Sequence, residues 1–140
     1  MNIAILGYGI EGKSAHQFLK KRYPKATIEI RDRARQGDPY LNDLDQFDMI
    51  VRSPGIKYLF PEIQRAQKHG VAITSATKLF FKHAKGITVG ITGTKGKGTT
   101  ATMLYKILKR AGKDVYLVGN IGTPMLDILS RLTKKSISIV

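Results

Sequence analysis

The chain has 140 residues, of which 42% are hydrophobic and 24% are charged. That length predicts about one domain, and the composition is typical of a globular protein. No apolar run approaches the ~18 residues that a membrane-spanning helix needs, and the lack of cysteine excludes disulfides and thiolate metal sites. Because the N-terminus enters a strand without a signal-peptide pattern, we expect a cytoplasmic protein that does not contact a membrane.

The formal net charge of +14 raises the question of nucleic-acid binding. The basic residues, however, are spread along the chain and fall mostly at the C-terminal ends or polar faces of predicted helices, where solvated lysine is common. No pattern of aromatic residues for base stacking accompanies them. We therefore expect anionic nucleotides, and not nucleic acid, as partners.

The first half of the chain alternates strands and helices. Apolar runs predict strands at Asn2–Leu6, Thr27–Arg31, Met49–Val51 and Val71–Thr74. Apolar residues at helical spacing predict a helix from about Lys13 to Arg22, and Pro61 and Gly70 mark the ends of another. Ser75 is expected to cap a short helix, and residues 33–39 are expected to form a polar loop.

A polar segment, residues 82–86, is predicted to separate two domains, 1–85 and 86–140. The second part repeats the alternation, with strands expected at Ile87–Ile91, Asp114–Leu117 and Ile137–Val140. Thr123 and Pro124 predict the start of a last helix, as N-cap and first helical residue. This alternation indicates an α/β fold of two doubly wound units with parallel sheets and helices on both faces. The first unit is expected to be nearly whole and the second incomplete.

The most informative run is Val89–Thr100, where an apolar strand enters a glycine-rich turn, a lysine and a helix. Backbone N–H groups in such a turn, together with the positive end of the helix, attract phosphate. Lys97 can reach the terminal phosphates of a nucleotide, and a hydroxyl after it would normally bind Mg²⁺. The spacing departs from the standard P-loop, because Ile91 stands at the first glycine position and Gly98 replaces the hydroxyl residue. A nucleoside triphosphate is the expected ligand, and a glycine-rich loop without a ligand is the alternative.

A second glycine-rich turn, Gly7–Gly12, follows the first strand in the pattern G-x-G-x-x-G. Asp32 lies twenty residues past Gly12, at the end of the second strand, as does the ribose-binding acid of dinucleotide-binding domains. The neighbouring Arg31 and Arg33 favour a further anionic group over a nicotinamide cofactor. Glycines used only for close packing of strand and helix are the alternative.

Four motifs occur along the chain in the order Gly7–Ser14, Ser53–Ile56, Gly93–Lys97 and Gly119–Gly122. Together they resemble the Mur ligases, and most closely the members that add D-glutamate. The phosphate loop alone fits any Mur ligase or the related folylpolyglutamate synthetases. The Ser-Pro-Gly-Ile and Gly-Asn-Ile-Gly turns are what point to the D-glutamate-adding members, and the resemblance spans all 140 residues.

The resemblance implies a Rossmann-like domain for a UDP-linked substrate, then a central ATPase domain, of which this chain holds the opening part, then a C-terminal domain. The implied reaction is formation of an amide between UDP-N-acetylmuramoyl-L-alanine and D-glutamate, with ATP and Mg²⁺, in peptidoglycan precursor synthesis. The implied UDP-substrate residues are Gly9, Ile10, Glu11, Asp32, Arg33, Ser53, Pro54, Gly55 and Asn120. The implied ATP-phosphate residues are Gly93, Thr94, Lys95, Gly96, Lys97, Gly98, Thr99 and Thr100, with Lys97 catalytic and Thr99 expected to supply a Mg²⁺ ligand.

Three residues depart from the family pattern. Gly98 removes the usual hydroxyl, Lys95 replaces a common asparagine, and Lys78 stands where an acidic residue is frequent. The family's metal-binding glutamate would follow Val140. We therefore expect the 140 residues alone not to catalyse ligation, and we expect a monomer.

Two other functions stay open. The first glycine turn would suit an NAD(P)-binding oxidoreductase domain, although that leaves the phosphate loop unexplained, and a non-catalytic nucleotide-binding module would need no further residues. The three histidines, His16, His69 and His83, are expected to be isolated and exposed on helices. No carboxylate pair or Ser-His-Asp set suggests hydrolysis.

Overall fold

The structure is a computed structural model that describes every residue from Met1 to Val140. The chain divides into two compact units, Met1–Leu79 and Phe80–Val140. Each unit is built on its own parallel sheet. None of the helices has the combination of length and apolar content that crossing a membrane requires.

The first unit contains a four-stranded sheet in the order β2-β1-β3-β4. Its strands are β1 (Asn2–Leu6), β2 (Thr27–Arg31), β3 (Met49–Arg52) and β4 (Ala72–Thr74). Its helices are α1 (Ile10–Arg22), α2 (Arg33–Gln36) and α3 (Pro61–Lys68), with 3-10 turns at Asp38–Leu41 and Leu44–Gln46. All its strand pairs are parallel, so the predicted α/β class is confirmed.

The central strand β1 is covered on both faces. Ile3, Ala4, Ile5 and Leu6 have no exposed surface, although successive side chains of a strand point to opposite faces. Ala4 and Leu6 belong to an apolar cluster that also contains Leu41, Leu44, Phe47, Ile50, Ile63 and Ala66. This burial fixes the carboxyl end of β1, where the first glycine-rich turn begins.

The second unit contains a three-stranded sheet in the order β5-β7-β6. Its elements are β5 (Ile87–Val89), α5 (Lys97–Arg110), β6 (Val115–Leu117), a 3-10 segment (Met125–Arg131) and β7 (Ile137–Ile139). The helix α4 (Ala76–His83) precedes β5 in the chain. Ala101 of α5, Val115 of β6 and Ile139 of β7 form the buried centre of one apolar cluster, so α5 packs on the sheet directly behind the phosphate loop.

Two predicted helix starts are confirmed. Pro61 is the first residue of α3, where its missing N–H costs no hydrogen bond. The hydroxyl of Ser75 accepts the N–H of Lys78 at 3.2 Å, which is the side-chain cap predicted for α4.

Other local predictions were wrong. The helix α1 begins at Ile10, not Lys13, because Gly9 is already its extended N-cap residue. Residues 33–36 form the helix α2 and not a loop, since the carboxylate of Asp32 accepts the N–H of Ala34 at 2.9 Å and caps it. The last helix is a 3-10 segment with Pro124 at its N-cap position, where Thr123 was expected.

Candidate functional site

Both glycine-rich turns follow the carboxyl end of a parallel strand. The first turn connects β1 to α1, and the second connects β5 to α5. Ligands of open parallel sheets bind at this edge, because loops and helix N-termini converge there. Each turn is therefore placed where a nucleotide phosphate could be bound within its own unit.

The helix α1 packs closely against the backbone of the first turn. A Cβ on Gly12 would overlap the backbone carbonyl oxygen of Gly7, which cannot move as a flexible side chain can. The N–H of Gly7 donates to the carbonyl oxygen of Arg31 at 2.8 Å, which joins the turn to β2. No side chain caps the N-terminus of α1, so its first N–H groups remain available as donors.

Asp32 connects the end of β2 to the first turn. One carboxylate oxygen accepts the N–H of Tyr8 at 2.6 Å, and the other accepts the N–H of Ala34 at 2.9 Å. These two hydrogen bonds fix the orientation of the carboxylate, because bonds from backbone N–H groups to a charged acceptor are strong and directional. The acid predicted from the sequence is thus held in place by backbone contacts on both sides.

The Ser53-Pro54-Gly55 turn lies beside the first glycine turn. The N–H of Ser53 donates to the carbonyl oxygen of Leu6 at 2.9 Å, and the Ser53 hydroxyl donates to the carbonyl oxygen of Gly7 at 3.1 Å. Arg52 donates from its guanidinium to the carbonyl oxygens of Ser53 and Ile56. Two turns separated by more than forty residues in the sequence therefore form one edge of the sheet.

A cleft of about 600 Å³ opens at this edge. It brings together the predicted residues Asp32, Arg33 and Gly55 with Gly7. The other lining residues, which were not predicted as site residues, are Ala34, Tyr40, Ile56, Lys57 and Phe60. Lys57 and Phe60 closely follow the Ser-Pro-Gly-Ile turn, and that proximity was the only signal for them.

Tyr40 is the least expected of these residues, because it directly follows the segment, residues 33–39, where polar composition predicted a loop. Its side chain is 9% exposed and belongs to the apolar cluster. Burial raises the pKa of the Tyr40 hydroxyl above its ordinary value of 10.0, although the nearby charge of Arg33 opposes the shift. The hydroxyl therefore stays protonated at neutral pH and can donate a hydrogen bond.

The two arginines that flank Asp32 differ in their placement. Arg33 lines the cleft and forms an exposed ion pair with Asp38 at 2.9 Å. Arg31 instead pairs with Glu29 at 2.6 Å and lies over the ring of Phe47. Of the two arginines, only Arg33 is placed to meet an anion in the cleft.

Three further residues predicted for the UDP substrate, Gly9, Ile10 and Glu11, lie at the start of α1 and do not line the cleft. Ser53, Pro54 and Asn120 do not line it either. Gly9 and Ile10 are exposed, and Ile10 has 76% of its surface accessible. One carboxylate oxygen of Glu11 is buried and accepts no hydrogen bond within the chain. Such a group is costly unless it gains a partner.

The prediction that the histidines are isolated was wrong, since each of the three interacts with another residue. The ring nitrogen Nδ1 of His16 is 2.7 Å from the Tyr8 hydroxyl, and the guanidinium of Arg35 lies over the Tyr8 ring. Burial, and then the charge of Lys20, lower the pKa of His16 below 6.5. His69 lies 3.4 Å from the carboxylate of Asp45.

The phosphate loop is exposed from Gly93 to Lys97. Gly96 has a φ of 74°, a left-handed conformation that favours glycine, and it is the N-cap residue of α5. No side chain caps this helix, so its first N–H groups are free to donate to a phosphate. The ammonium group of Lys97 donates to the carbonyl oxygen of Gly93.

The two threonines after Gly98 differ in their hydrogen bonds. The hydroxyl of Thr100 donates to the carbonyl oxygen of Gly96 at 3.1 Å, whereas that of Thr99 is exposed and forms no hydrogen bond within the chain. No group of three or more His, Cys, Asp or Glu side chains is arranged to bind a metal ion. Of the two hydroxyls that follow Gly98, that of Thr99 is thus the one free to reach a metal.

The turn from Gly119 to Gly122 carries Asn120 at an exposed position. Gly122 has a φ of 92°, and a Cβ there would overlap the carbonyl oxygen of Leu117, so only glycine fits. The N–H of Thr123 donates to that same carbonyl oxygen at 3.2 Å and closes the turn. Ile121 approaches Gly98 at the start of α5, which brings Asn120 close to the phosphate loop.

The chain is similar to known proteins over most of its length. A family model of the Mur ligase middle domain matches residues 91–139. A UDP-N-acetylmuramoylalanine--D-glutamate ligase of Clostridium kluyveri is 33% identical over 148 aligned residues, covering 94% of this chain and 32% of that ligase. The ligase of the same name from Acetivibrio thermocellus is 38% identical over 96 residues, covering 69% of this chain and 21% of that ligase.

A further ligase of that name, from Clostridium botulinum strain Okra, is 34% identical over 140 residues and covers 88% of this chain and 31% of that ligase. A solved structure of UDP-N-acetylmuramate:L-alanyl-gamma-D-glutamyl-meso-diaminopimelate ligase from Neisseria meningitides superposes with a TM-score of 0.47 at 21% identity, over 99% of this chain and 51% of that one. The chain spans about a third of the length of the two clostridial ligases. On the sequence relatives and the middle-domain match, the chain belongs to the Mur ligase family.

Proposed function

We propose that the protein carrying this chain is an ATP-dependent ligase that joins D-glutamate to UDP-N-acetylmuramoyl-L-alanine. The observation that carries the proposal is the uncapped N-terminus of α5, which follows the glycine turn and presents free N–H groups beside Lys97. The ligases named for this reaction, similar over most of the chain, supply the reaction type. Two anion-binding turns in one chain fit a reaction that takes one nucleotide as substrate and another as phosphoryl donor.

In the second unit, residues Gly93–Thr100 would bind the phosphates of ATP. The N–H groups at the start of α5 would donate to phosphate oxygens, and Lys97 would exchange its contact with the Gly93 carbonyl for a charged contact to phosphate. ATP would supply the phosphoryl group that activates the alanyl carboxylate for attack by the amine of D-glutamate. The chain's own contribution is to position phosphate and offset its charge.

Thr99 would supply the hydroxyl that a Mg²⁺ ion needs next to the phosphates. The Thr100 hydroxyl already donates to Gly96, and Gly98 has no side chain. A single hydroxyl does not make a metal site, because Mg²⁺ takes about six oxygen ligands and retains several waters. The phosphates of ATP and residues outside this chain would complete the set.

In the first unit, the UDP-linked substrate would bind at the edge formed by the first glycine turn and the Ser53–Gly55 turn. Asp32 and Arg33 already line the cleft there, and Ser53 and Pro54 belong to the adjacent turn. The unpaired oxygen of Glu11 would gain a partner from the ligand, with Gly9 and Ile10 beside it. Asn120 is proposed to contact the sugar-peptide part, as the family resemblance implies.

We also propose that 1–85 and 86–140 act as substrate and ATP domains, in a monomeric, cytoplasmic enzyme of cell-wall synthesis. The other function considered, an NAD(P)-dependent oxidoreductase, is not favoured by the relatives, none of which is named for such a reaction. A non-catalytic nucleotide-binding module would bind the same ligands without turnover.

Two measurements test the proposal. Calorimetric titration of the 140-residue chain should show binding of UDP-N-acetylmuramoyl-L-alanine and of ATP with Mg²⁺, and none of NAD. Phosphate release by the complete protein that carries this chain should require both UDP-N-acetylmuramoyl-L-alanine and D-glutamate. Tight NAD binding without a response to UDP would refute the substrate assignment, and nucleotide binding with no dependent phosphate release would favour the module.

A further inference from the structure

A second cavity lies in the second unit, around the outer edge of β6. Its volume is about 550 Å³, within the range of small-molecule sites in proteins. It lies between α5 and the 3-10 segment, and none of the residues predicted for the substrates lines it. No residue of the phosphate loop lines it, and Lys109 on its wall is twelve positions after Lys97 on α5, about 18 Å along the helix axis.

The wall of this cavity is amphipathic. Its apolar part consists of Leu117, Ile128 and the rings of Tyr105 and Tyr116. Ile128 is 1% exposed, so this part of the wall is fixed by the core. Flat aromatic rings next to aliphatic side chains form a surface on which a planar apolar group can pack.

Two positively charged side chains, Lys109 and Arg131, line the same cavity. The guanidinium of Arg131 lies 5.1 Å from the centre of the Tyr116 ring, which orients it. The carboxylate of Asp114 also lines the cavity, but it accepts a hydrogen bond from the buried hydroxyl of Ser136 at 2.5 Å. The charge of the wall is therefore positive, and its one acid is oriented by a buried partner.

The edge of β6 is too short to bind a peptide as an added strand. The strand has three residues, and its carbonyl group at Leu117 already accepts the N–H of Thr123 at 3.2 Å. Strand addition needs a longer row of free backbone groups. The occupant that fits this cavity is thus a small molecule.

We propose that this cavity binds a small anion with a flat apolar body, such as an aromatic carboxylate or an aryl phosphate. Arg131 and Lys109 would bind the anionic group, and Tyr105, Tyr116 and Ile128 would contact the ring. Gly122 and Thr123, which close the turn that carries Asn120, also line the cavity. A ligand here would therefore also contact the turn that carries Asn120, whatever reaction the complete protein performs.

The test is a titration of the ¹⁵N-labelled 140-residue chain with phenyl phosphate, followed by amide chemical shifts. The Lys97→Ala variant serves as the starting protein, so that binding at the phosphate loop is weakened. Benzyl alcohol provides a neutral ring of similar size, and inorganic phosphate provides the anion without the ring. Arg131→Gln removes the charge from the wall, and Lys134→Gln removes an exposed charge that does not line the cavity.

We expect phenyl phosphate to shift the amides of Val115, Leu117 and Thr123 and to bind more tightly than either comparison compound. Arg131→Gln should weaken binding at least about fivefold, because a charge-assisted contact is lost, and Lys134→Gln should leave it unchanged. Shifts confined to residues 93–99, no shifts at millimolar phenyl phosphate, or equal affinity in the Arg131→Gln protein would each overturn the proposal. A Tyr116→Leu protein that keeps its spectrum but loses binding would support the contact with the ring.

Discussion

The terminal methyl carbon of Ile121, Cδ1, lies 2.5 Å from the point that a Cβ on Gly98 would occupy. Ile121, in the turn that carries Asn120, therefore occupies the space that a side chain at residue 98 would take. This contact gives a structural reason for the departure from the family pattern at Gly98. It also connects the start of the phosphate-binding helix to a turn that the family resemblance assigns to the other substrate.

Replacing Gly98 with Ala should displace Ile121 without unfolding the unit. Ile121 is 47% exposed, and the overlapping atom is the free end of its side chain, so a rotamer change can relieve the overlap. We expect the free energy of unfolding in urea to change by less than about 1 kcal/mol, while the amide resonances of Asn120 and Ile121 shift. Adding Ile121→Ala should remove most of that shift. A loss of stability well above this value would show that the turn cannot move.

Lys97→Ala should weaken ATP binding by about 1.5–3 kcal/mol, because a charge-assisted contact to phosphate is lost. Lys106→Ala is the control, since it removes the same charge from an exposed position on α5 outside the phosphate loop. Calorimetry with ATP and Mg²⁺ on both variants separates a specific contact from general attraction. Equal losses in the two variants would mean that Lys97 acts only through its charge, and no loss in either would make the loop structural.

Thr99→Val should raise the concentration of Mg²⁺ needed for ATP binding, whereas Thr100→Val should not. The reason is that the Thr100 hydroxyl already donates to the Gly96 carbonyl and the Thr99 hydroxyl is free. ATP affinity measured across a series of Mg²⁺ concentrations distinguishes the two. Introducing Gly98→Ser into the Thr99→Val protein should restore a nearby hydroxyl and lower the requirement again. Small and equal effects of both valine variants would favour metal held by ATP, water and residues outside the chain.

The strands of the first unit could be predicted because a parallel strand that is buried on both faces forms a continuous apolar run in the sequence. The run Ile3–Leu6 is continuously apolar and ends at a glycine, and Thr27–Arg31 was predicted at its observed bounds. The positions of the two glycine turns at strand ends followed from the same reasoning. These features depend only on residues that are close in the sequence, so composition and periodicity are enough to predict them.

The cleft lining could not be predicted, because its contacts join distant segments. The carboxylate of Asp32 accepts from Tyr8, which is 24 residues away, and the Ser53 hydroxyl donates to Gly7, which is 46 residues away. Tyr40 is buried through such packing, although the segment that precedes it, residues 33–39, is polar. The contact between His16 and Tyr8 could not be predicted for a different reason. The pattern G-x-G-x-x-G specifies only its glycines and leaves the role of Tyr8 open.

His16 should make the first unit less stable in mild acid. Its pKa is lowered in the fold, so the folded state favours the neutral ring and the unfolded state binds the proton more readily. The stability that this residue contributes is therefore fully present above pH 6.5, and it is lost as the pH falls below 6.5 through the folded-state pKa. Thermal unfolding between pH 5 and 8 should show a weaker pH dependence in His16→Gln than in the original chain. His69→Gln is the control, and an unchanged slope in His16→Gln would contradict the assignment.

Gly12→Ala should destabilise the first unit strongly, while Gly9→Ala and Gly55→Ala should not. An added methyl group at residue 12 would overlap the backbone carbonyl of Gly7, which is held by the sheet, whereas residues 9 and 55 have open space around the added carbon. Because overpacking against an immobile backbone costs about 1–3 kcal/mol, the midpoint of urea unfolding should fall clearly for Gly12→Ala alone. The same variant should lose UDP binding, since α1 would be displaced from the turn. A Gly12→Ala protein that is as stable as Gly9→Ala and keeps the UDP affinity of the original chain would show that the close approach of α1 to Gly7 is not required.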